Sequence, residues 1–263
     1  MDMQSDPPMD APLDPNRPDA SINIDHSLGY WNSVSSDVNG MLGGYPQTSR
    51  IDLQGSSNFL TKLRRGKTPT SKIPLQPLER VADCGAGIGR ITKGLLLGVA
   101  KKVDVIEPVK KFTDELVQSL GNGEYAGDGV SNDGKGQVGE VVNLGLQDWL
   151  PEPGAYDVIW NQWCVGHLTD AQLVEYLQRC KKGLRPAREG KGVSRACIIV
   201  KENLSTDIRQ KDIYDEEDSN YTRSDDKFRR LFQQAGLKII ATEQQRGIPK
   251  ELYPVRIYAL KPE

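Results

Sequence analysis

From Glu79 onward the chain alternates between short runs of β-branched and apolar residues and longer stretches whose apolar positions recur at helical spacing. Arg80-Val81-Ala82-Asp83-Cys84 reads as a strand, a helix carrying Ile91, Leu95 and Leu96 follows over 89–98, and Lys102-Val103-Asp104-Val105-Ile106-Glu107 reads as a second strand. The pattern then predicts a helix over 110–120, strands at 140–144 and 156–160, a helix over 170–183, a strand at 196–201, a helix over 224–236, and strands at 237–243 and 255–261. Strands and helices in alternation make an α/β fold, a mainly parallel sheet with helices on both faces. Only a loop separates the last two strands, which predicts an antiparallel hairpin at one edge. The Gly-rich stretch 121–139 reads as an inserted loop.

The residues before Glu79 follow other patterns. Residues 26–63 are helical and turn-like, with Tyr30-Trp31, then Gly40-Met41-Leu42-Gly43-Gly44-Tyr45, then Ser57-Asn58-Phe59-Leu60-Thr61-Lys62-Leu63. Paired glycines beside large apolar residues suggest a bend that packs closely over something, as a helical cap or lid. Residues 64–78 form a basic, proline-punctuated linker. Residues 1–25 hold six Asp, one Arg and five Pro, a charge of -5 that leaves +3 for the remainder of a chain whose net charge is -2. That composition predicts a disordered acidic tail, and the main domain is expected over 79–263.

Composition narrows the function. No apolar run approaches the ~20 residues that cross a bilayer, and the first residues have neither a basic start nor a hydrophobic stretch, so neither secretion nor a membrane partner is expected. Cys84, Cys164, Cys180 and Cys197 lie far apart, without the paired spacing of a zinc site. They read as reduced thiols in a cytoplasmic protein, a nuclear location also being open, and no metal is expected. The near-balanced charge argues against a nucleic-acid partner.

The most informative stretch is Asp83-Cys84-Gly85-Ala86-Gly87-Ile88-Gly89-Arg90, between a predicted strand and a predicted helix. Glycines at these positions let the backbone turn tightly and approach a ligand where a Cβ would intrude. The spacing is GxGxG rather than the GxGxxG of dinucleotide-binding turns, an acid precedes it, and Glu107 ends the next strand, where its two oxygens can accept from a ribose diol. Ribose binding suits either cofactor class; the strand-end acid with GxGxG suits S-adenosylmethionine better. Arg90 opens a helix, where the macrodipole disfavours a cation, which hints at a specific partner such as a cofactor carboxylate. Gly145-Leu146-Gln147-Asp148 follows the third strand, where an adenine ring would lie.

Taken together, DCGAGIGRITK, GLQDW, YDVIWNQWCVGHLTD and the upstream YW…GMLGGY…ID resemble the protein α-N-terminal methyltransferase family. Its members methylate the free N-terminal amine of chains beginning X-Pro-Lys or X-Pro-Arg. The resemblance runs from about Tyr30 to the end, leaving out the tail, the connector and insertions around 121–139 and 186–195. It implies a Rossmann-like class I methyltransferase fold with a seven-stranded sheet and an N-terminal helical extension, and S-adenosylmethionine as cofactor. It further implies cofactor contacts from Gly85, Arg90, Glu107, Leu146, Gln147 and Gln162, to which the glycine turn adds Gly87. For the peptide it implies Trp31, Leu42, Gly43, Trp163, His167, Asn203, Asp215, Asp218 and Tyr253. Glu107 stands where Asp is frequent in the family, Asn220 where Ser is common, and Thr48 where a branched aliphatic is common.

Such a reaction needs an unprotonated amine, and an α-amine with a reference pKa of about 7.7–8.0 is mostly protonated near neutrality. Asp218 and His167 are the candidates to accept the proton, and the sequence leaves the choice open. Trp163 is expected to wall the proline ring, Asn203 to bond the first carbonyl, and Asp215 to meet the basic third side chain. The competing readings are a small-molecule methyltransferase, a nucleic-acid methyltransferase, which the Asn161-Gln162-Trp163-Cys164 stretch and the charge disfavour, and a non-catalytic module retaining the cofactor pocket. The oligomeric state is open, with a monomer as the expectation.

Overall fold

The computed structural model describes residues 19–66, 74–123, 136–187 and 195–263. Five parallel strands, β1 (Leu78–Cys84), β2 (Ala100–Ile106), β3 (Gln137–Val142), β4 (Val158–Gln162) and β5 (Cys197–Asn203), form most of one sheet. A separate short hairpin joins β6 (Ile213–Asp215) to β7 (Asn220–Thr222). The main sheet is completed by β8 (Leu237–Gln244) and β9 (Val255–Pro262), in the order β3-β2-β1-β4-β5-β9-β8, with β9 antiparallel to both neighbours. The expected seven-stranded, mostly parallel sheet with an antiparallel edge hairpin is therefore observed. The strand order reverses between β1 and β4, which opens a crevice at their carboxyl ends where ligands bind in open α/β sheets.

The core follows from the alternation along the strands. Ala82, Ile159, Ile198 and Tyr258 face one side and pack with Leu173, Tyr176 and Leu177 of α6 (Asp170–Gly183) and with Phe228, Leu231 and Phe232 of α7 (Asp225–Gln234). Their sequence neighbours Val81, Trp160, Ile199 and Ile257 face the other side, against Phe59 and Leu60 of α3 (Thr48–Arg65) and Ile91 of α4 (Arg90–Gly94). Each fully buried side chain of this kind contributes about 1.5–3 kcal/mol of hydrophobic stabilisation. The start of α6 is fixed by a reciprocal capping box between Thr169 and Gln172, and that of α7 by the Ser224 hydroxyl accepting from the Lys227 N–H. Amphipathic α5 (Lys110–Gly121) buries Phe112 and Leu116.

Two further helices, α1 (Ile24–Ser33) and α2 (Val38–Met41), begin at side-chain caps from Asn23 and Asp37. Their Leu28, Trp31 and Met41, with Val34 between them, lie on Ile88, Val109 and Phe112, over the glycine turn and the start of α5. Among the described residues, contacts with the body are made from Asp19 onward, within the stretch whose composition reads as tail. The Asp19 carboxylate accepts from the Asp170 N–H at 2.5 Å, the Ser21 carbonyl accepts from the Tyr214 hydroxyl at 2.9 Å, and the Asn23 N–H donates to Ser219 Oγ at 2.8 Å.

Several boundaries differ from the sequence reading. The helix expected over 89–98 is α4 followed by a 3-10 turn at Leu96–Gly98, broken at Leu95, whose φ of -139° leaves the helical region. The Gly-rich loop ends earlier than expected, because Gln137 and Val138 already pair with β2; residues 124–135 lie outside the described residues, as do 1–18, 67–73 and 188–194. The hairpin β6–β7 replaces an acidic stretch with no expected strand; Tyr214 and Tyr221 stack across it with ring centroids 4.9 Å apart.

Candidate active site

At the end of β1 the backbone takes positive φ at Gly85, Gly87 and Gly89, a conformation that side-chain-bearing residues avoid. A Cβ on Gly85 would lie 2.3 Å from that of Cys164, and one on Gly87 would lie 2.6 Å from Met41 Sδ. The turn is braced from below by Asp83, which accepts from the Thr92 hydroxyl at 2.5 Å and whose carboxyl burial pushes up to about 6. It is braced from the side by Glu107, whose two oxygens accept the Gly87 and Val109 N–H groups at 2.8 Å each. Burial, opposed by those two hydrogen bonds, pushes Glu107 up to about 7.

Above this turn lies a cavity of about 330 Å³, within the range of small-molecule sites. Gly85, Gly87, Arg90, Glu107, Leu146, Gln147 and Gln162, the residues expected at the cofactor, all line it. A second cavity, of about 430 Å³, adjoins it and is lined by Leu42, Gly43, Asn203, Asp215, Asp218 and Tyr253. Trp31, Met41, Trp163 and His167 line both, so these four side chains form the wall between the chambers. The structure thus brings every sequence-expected site residue to one of two adjoining cavities. The first has the donor and acceptor set of a nucleoside amino acid: a carboxylate for a diol, apolar Leu146 beside the Gln147 amide for a base, and the Arg90 guanidinium for a carboxylate. The glycine cradle that a Cβ would fill and the cavity chemistry both fit S-adenosylmethionine.

Arg90 has its specific partner in the protein. Its Nη1 donates to Asp52 Oδ2 at 2.6 Å, and its guanidinium stands 5.3 Å from the centre of the Trp163 ring. The Gln162 amide donates to both Asp52 oxygens at 2.9 Å, and the Lys201 ammonium pairs with Asp52 Oδ1. Burial works against ionising Asp52, but Arg90 and Lys201 hold its carboxyl below the usual range. Asp52 closes the upstream motif of the resemblance but had no role assigned to it there, and Lys201 carried no recognisable signal; their partners include residues 38 to 149 positions away.

In the wall, Trp163 sits at φ 54°, and its buried indole N–H has no hydrogen-bond partner among the described residues. The turn it belongs to is fixed by Glu202, whose Oε1 accepts the Cys164 and Val165 N–H groups at 2.8 and 3.0 Å. Glu202 too escaped the sequence reading, since it looks like an ordinary strand exit beside Asn203. Trp31 donates its indole N–H to His167 Nε2 at 3.3 Å. With Nε2 accepting, a neutral imidazole carries its proton on Nδ1, which faces Ser27 Oγ at 3.0 Å. Burial, opposed by a hydrogen bond to the Ser219 backbone, pushes His167 down to about 4.

Across the second chamber, burial and then the charge of Asp215 push Asp218 up to about 6, against a hydrogen bond from the Asn220 amide. Asp215, exposed at the end of β6, accepts from the Glu217 N–H at 2.9 Å. Ile213, Tyr214 and Asn220 also line this chamber, as do Tyr45 and Thr48 from the lid side. Among the described residues no group of three or more His, Cys, Asp or Glu could hold a metal ion, and no helix is long and apolar enough to cross a membrane.

Similarity to known proteins extends across nearly the whole described chain. The AdoMet dependent proline di-methyltransferase family matches residues 19–261. The N-terminal Xaa-Pro-Lys N-methyltransferase 1 of Xenopus tropicalis is 41% identical over 232 residues, spanning 88% of this chain and 92% of its own. The alpha N-terminal protein methyltransferase 1 of Schizosaccharomyces pombe is 40% identical over 245 residues, spanning 90% and 94%. A solved SAM-dependent methyltransferase from Leishmania major superposes with a TM-score of 0.72 at 33% identity, covering 89% of this chain and 81% of that one. With the glycine turn, the strand order and a family match that leaves out only the first 18 and last two residues, this chain belongs to the AdoMet dependent proline di-methyltransferase family.

Proposed function

We propose that the protein transfers methyl groups from S-adenosylmethionine to the free α-amino group of polypeptides beginning X-Pro-Lys or X-Pro-Arg. The observation that carries this reading is the shared wall. A nucleoside-type cavity adjoins a second chamber whose far side carries Asp215 and Asp218 and whose near side is built from indoles. A cationic chain terminus followed by a proline ring and a basic side chain is complementary to that chamber in charge and in shape. The curated relatives named for Xaa-Pro-Lys substrates support the same assignment.

When bound, the cofactor supplies an electrophilic methyl group on a sulfonium. Everything else falls to the chain's own residues. Glu107 offers carboxylate oxygens to a ribose and Arg90 a guanidinium to a carboxylate. In the second chamber Asp218 and Asp215 attract the incoming ammonium. Asp218 then takes the proton: its carboxyl titrates near 6, whereas His167, near 4 and with Nε2 occupied by the Trp31 N–H, is a weaker base held as a neutral hydrogen-bond acceptor. His167 thereby acts as the latch that seats α1 over both chambers. The flat Trp163 ring suits the proline, a residue that lacks an N–H and has a fixed φ, and the Trp163 indole N–H, unpaired among the described residues, can donate to a substrate carbonyl. Asn203 stands at the strand end where it can donate to a substrate carbonyl, and Asp215 is placed to meet the third side chain. The lid excludes water from the reacting centre.

Mass spectrometry of an X-Pro-Lys hexapeptide incubated with the protein and S-adenosylmethionine tests the proposal. Methylation confined to the α-amine, and abolished when that amine is acetylated, is expected. Transfer to the acetylated peptide or to lysine side chains would overturn it. A small-molecule methyltransferase would ignore the peptide and be indifferent to Asp215→Lys.

A further inference from the structure

Asp52 lies at the crossing of three elements that each deliver a residue to the chambers. It sits on α3, fully buried, and its two oxygens are saturated: Oδ1 by Lys201 and Gln162, Oδ2 by Arg90 and Gln162. A carboxylate held by four hydrogen bonds from three side chains cannot rotate, so the position of Arg90 is fixed from the side away from the cavity. The grip on Arg90 is end-on. One nitrogen, Nη1, goes to Asp52, and among the described residues the other guanidinium donors meet no acceptor, which leaves them for a second anion. The Arg90 guanidinium is further confined by the Trp163 ring beneath it. Lys201 is itself anchored by Ser56 Oγ and Gln245 Oε1 at 2.9 Å each, so it does not follow Asp52 away from Arg90.

We propose that Asp52 is a positioning residue that aims Arg90 at the carboxylate of the bound cofactor, and so sets the protein's preference for cofactors that carry an amino-acid end. The inference rests on the cofactor reading given above and extends it to a side chain buried behind the site. Asp52 touches neither ligand on this view. Its contribution is the preorganisation of a guanidinium that would otherwise have to be ordered when the ligand arrives.

Isothermal titration of the purified protein with two nucleosides, S-adenosylhomocysteine and methylthioadenosine, separates the possibilities, because only the first carries the amino-acid carboxylate. The unaltered protein is expected to bind S-adenosylhomocysteine the more tightly. In Asp52→Asn that preference should shrink by about 10-fold or more, the scale of one charge-assisted hydrogen bond, with methylthioadenosine affinity nearly unchanged. Equal weakening of both ligands, or no change in either, would overturn the role of Asp52. If instead the unaltered protein shows no preference, the cofactor reading fails before Asp52 is tested. Because Asp52→Asn leaves Arg90 and Lys201 without their carboxylate, the double variant Asp52→Asn/Lys201→Met removes the second buried cation and keeps the test available should the single variant not fold. It too should lose the preference, and a double variant that retains it would overturn the proposal.

Discussion

Replacing Asp218 with Asn removes a proton acceptor while keeping its shape and its hydrogen bond with the Asn220 amide. The substrate amine, with a reference pKa of about 8, is only about one-tenth neutral at pH 7. Passing its proton to a carboxyl that titrates near 6 spans about two pKa units, or about 2.7 kcal/mol, which an ionised Asp218 makes accessible within the bound complex. Without that acceptor the turnover number for an X-Pro-Lys peptide should fall by about 10²- to 10⁴-fold, the usual contribution of a positioned base. The pH profile should change shape as well. In the unaltered protein the rate rises as Asp218 loses its proton near pH 6; in the Asn variant that limb disappears and the rate follows the neutral amine up to about pH 8.

Stability gives the control. The Asp218 carboxyl is raised above 3.8 on folding, so its contribution to stability is fully present below that value and is lost as pH rises through about 6. At pH 7.5 the ionised carboxylate is therefore a cost, and Asp218→Asn should melt at the same temperature as the parent or higher. Rates by mass spectrometry, S-adenosylhomocysteine affinity by titration and melting by calorimetry decide the matter. A rate loss below tenfold, or a rate loss matched by equal losses of cofactor affinity and melting temperature, would refute Asp218 as the base.

Gly87→Ala forces a Cβ into a position at φ 54° that lies 2.6 Å from Met41 Sδ, so S-adenosylhomocysteine affinity should drop about tenfold or more in a titration while the far-ultraviolet spectrum is preserved; unchanged affinity would show that the turn does not cradle the ligand. Removing residues 1–18 should leave the specificity constant intact, whereas removing 1–23 deletes the Asn23 cap and the contacts with Asp170, Tyr214 and Ser219, and should raise the peptide KM about five- to tenfold. Equal kinetics for the two truncations would mean that the segment does not hold the hairpin. Trp31→Phe keeps an aromatic ring beside Phe112 but deletes the N–H given to His167, and the peptide KM should rise about fivefold, the worth of one hydrogen bond; a change confined to cofactor affinity would show that the latch acts elsewhere.

Much of this molecule was legible in its sequence where local physics decides structure. The glycine turn announced itself because only glycine takes three positive φ values in five residues, and α6 fell at 170–183 because its capping box and apolar face are local features. The β6–β7 hairpin was not legible. Its acidic residues resemble a solvated face, and what makes them strands is the Tyr214–Tyr221 stack together with the hold that Ser21 and Asn23 exert from far away in the chain. Asp52, quoted in the resemblance without a role, and Glu202, not singled out at all, were undervalued for a related reason. One is a single acid in a helix and the other a single acid at a strand end, and each acquires meaning only from partners more than 35 residues distant. The cleft residues were reached through the family resemblance, and the preference for Asp218 over His167 as proton acceptor belongs to the proposal above, because it depends on how each side chain is buried and paired.

The interior place of β9 has a consequence for how the enzyme comes into being. β9 is later in the chain than every strand it touches, yet it sits between β5 and β8 and pairs with Lys201, Glu202 and Asn203. During synthesis on the ribosome, therefore, β5 keeps an open edge until the final strand emerges, and the residues that organise both chambers gain their last neighbour at that moment. A chain cut before Val255 would leave the β5 edge at Lys201, Glu202 and Asn203 without its partner strand, so the two chambers depend on a segment that lies far along the chain from the glycine turn.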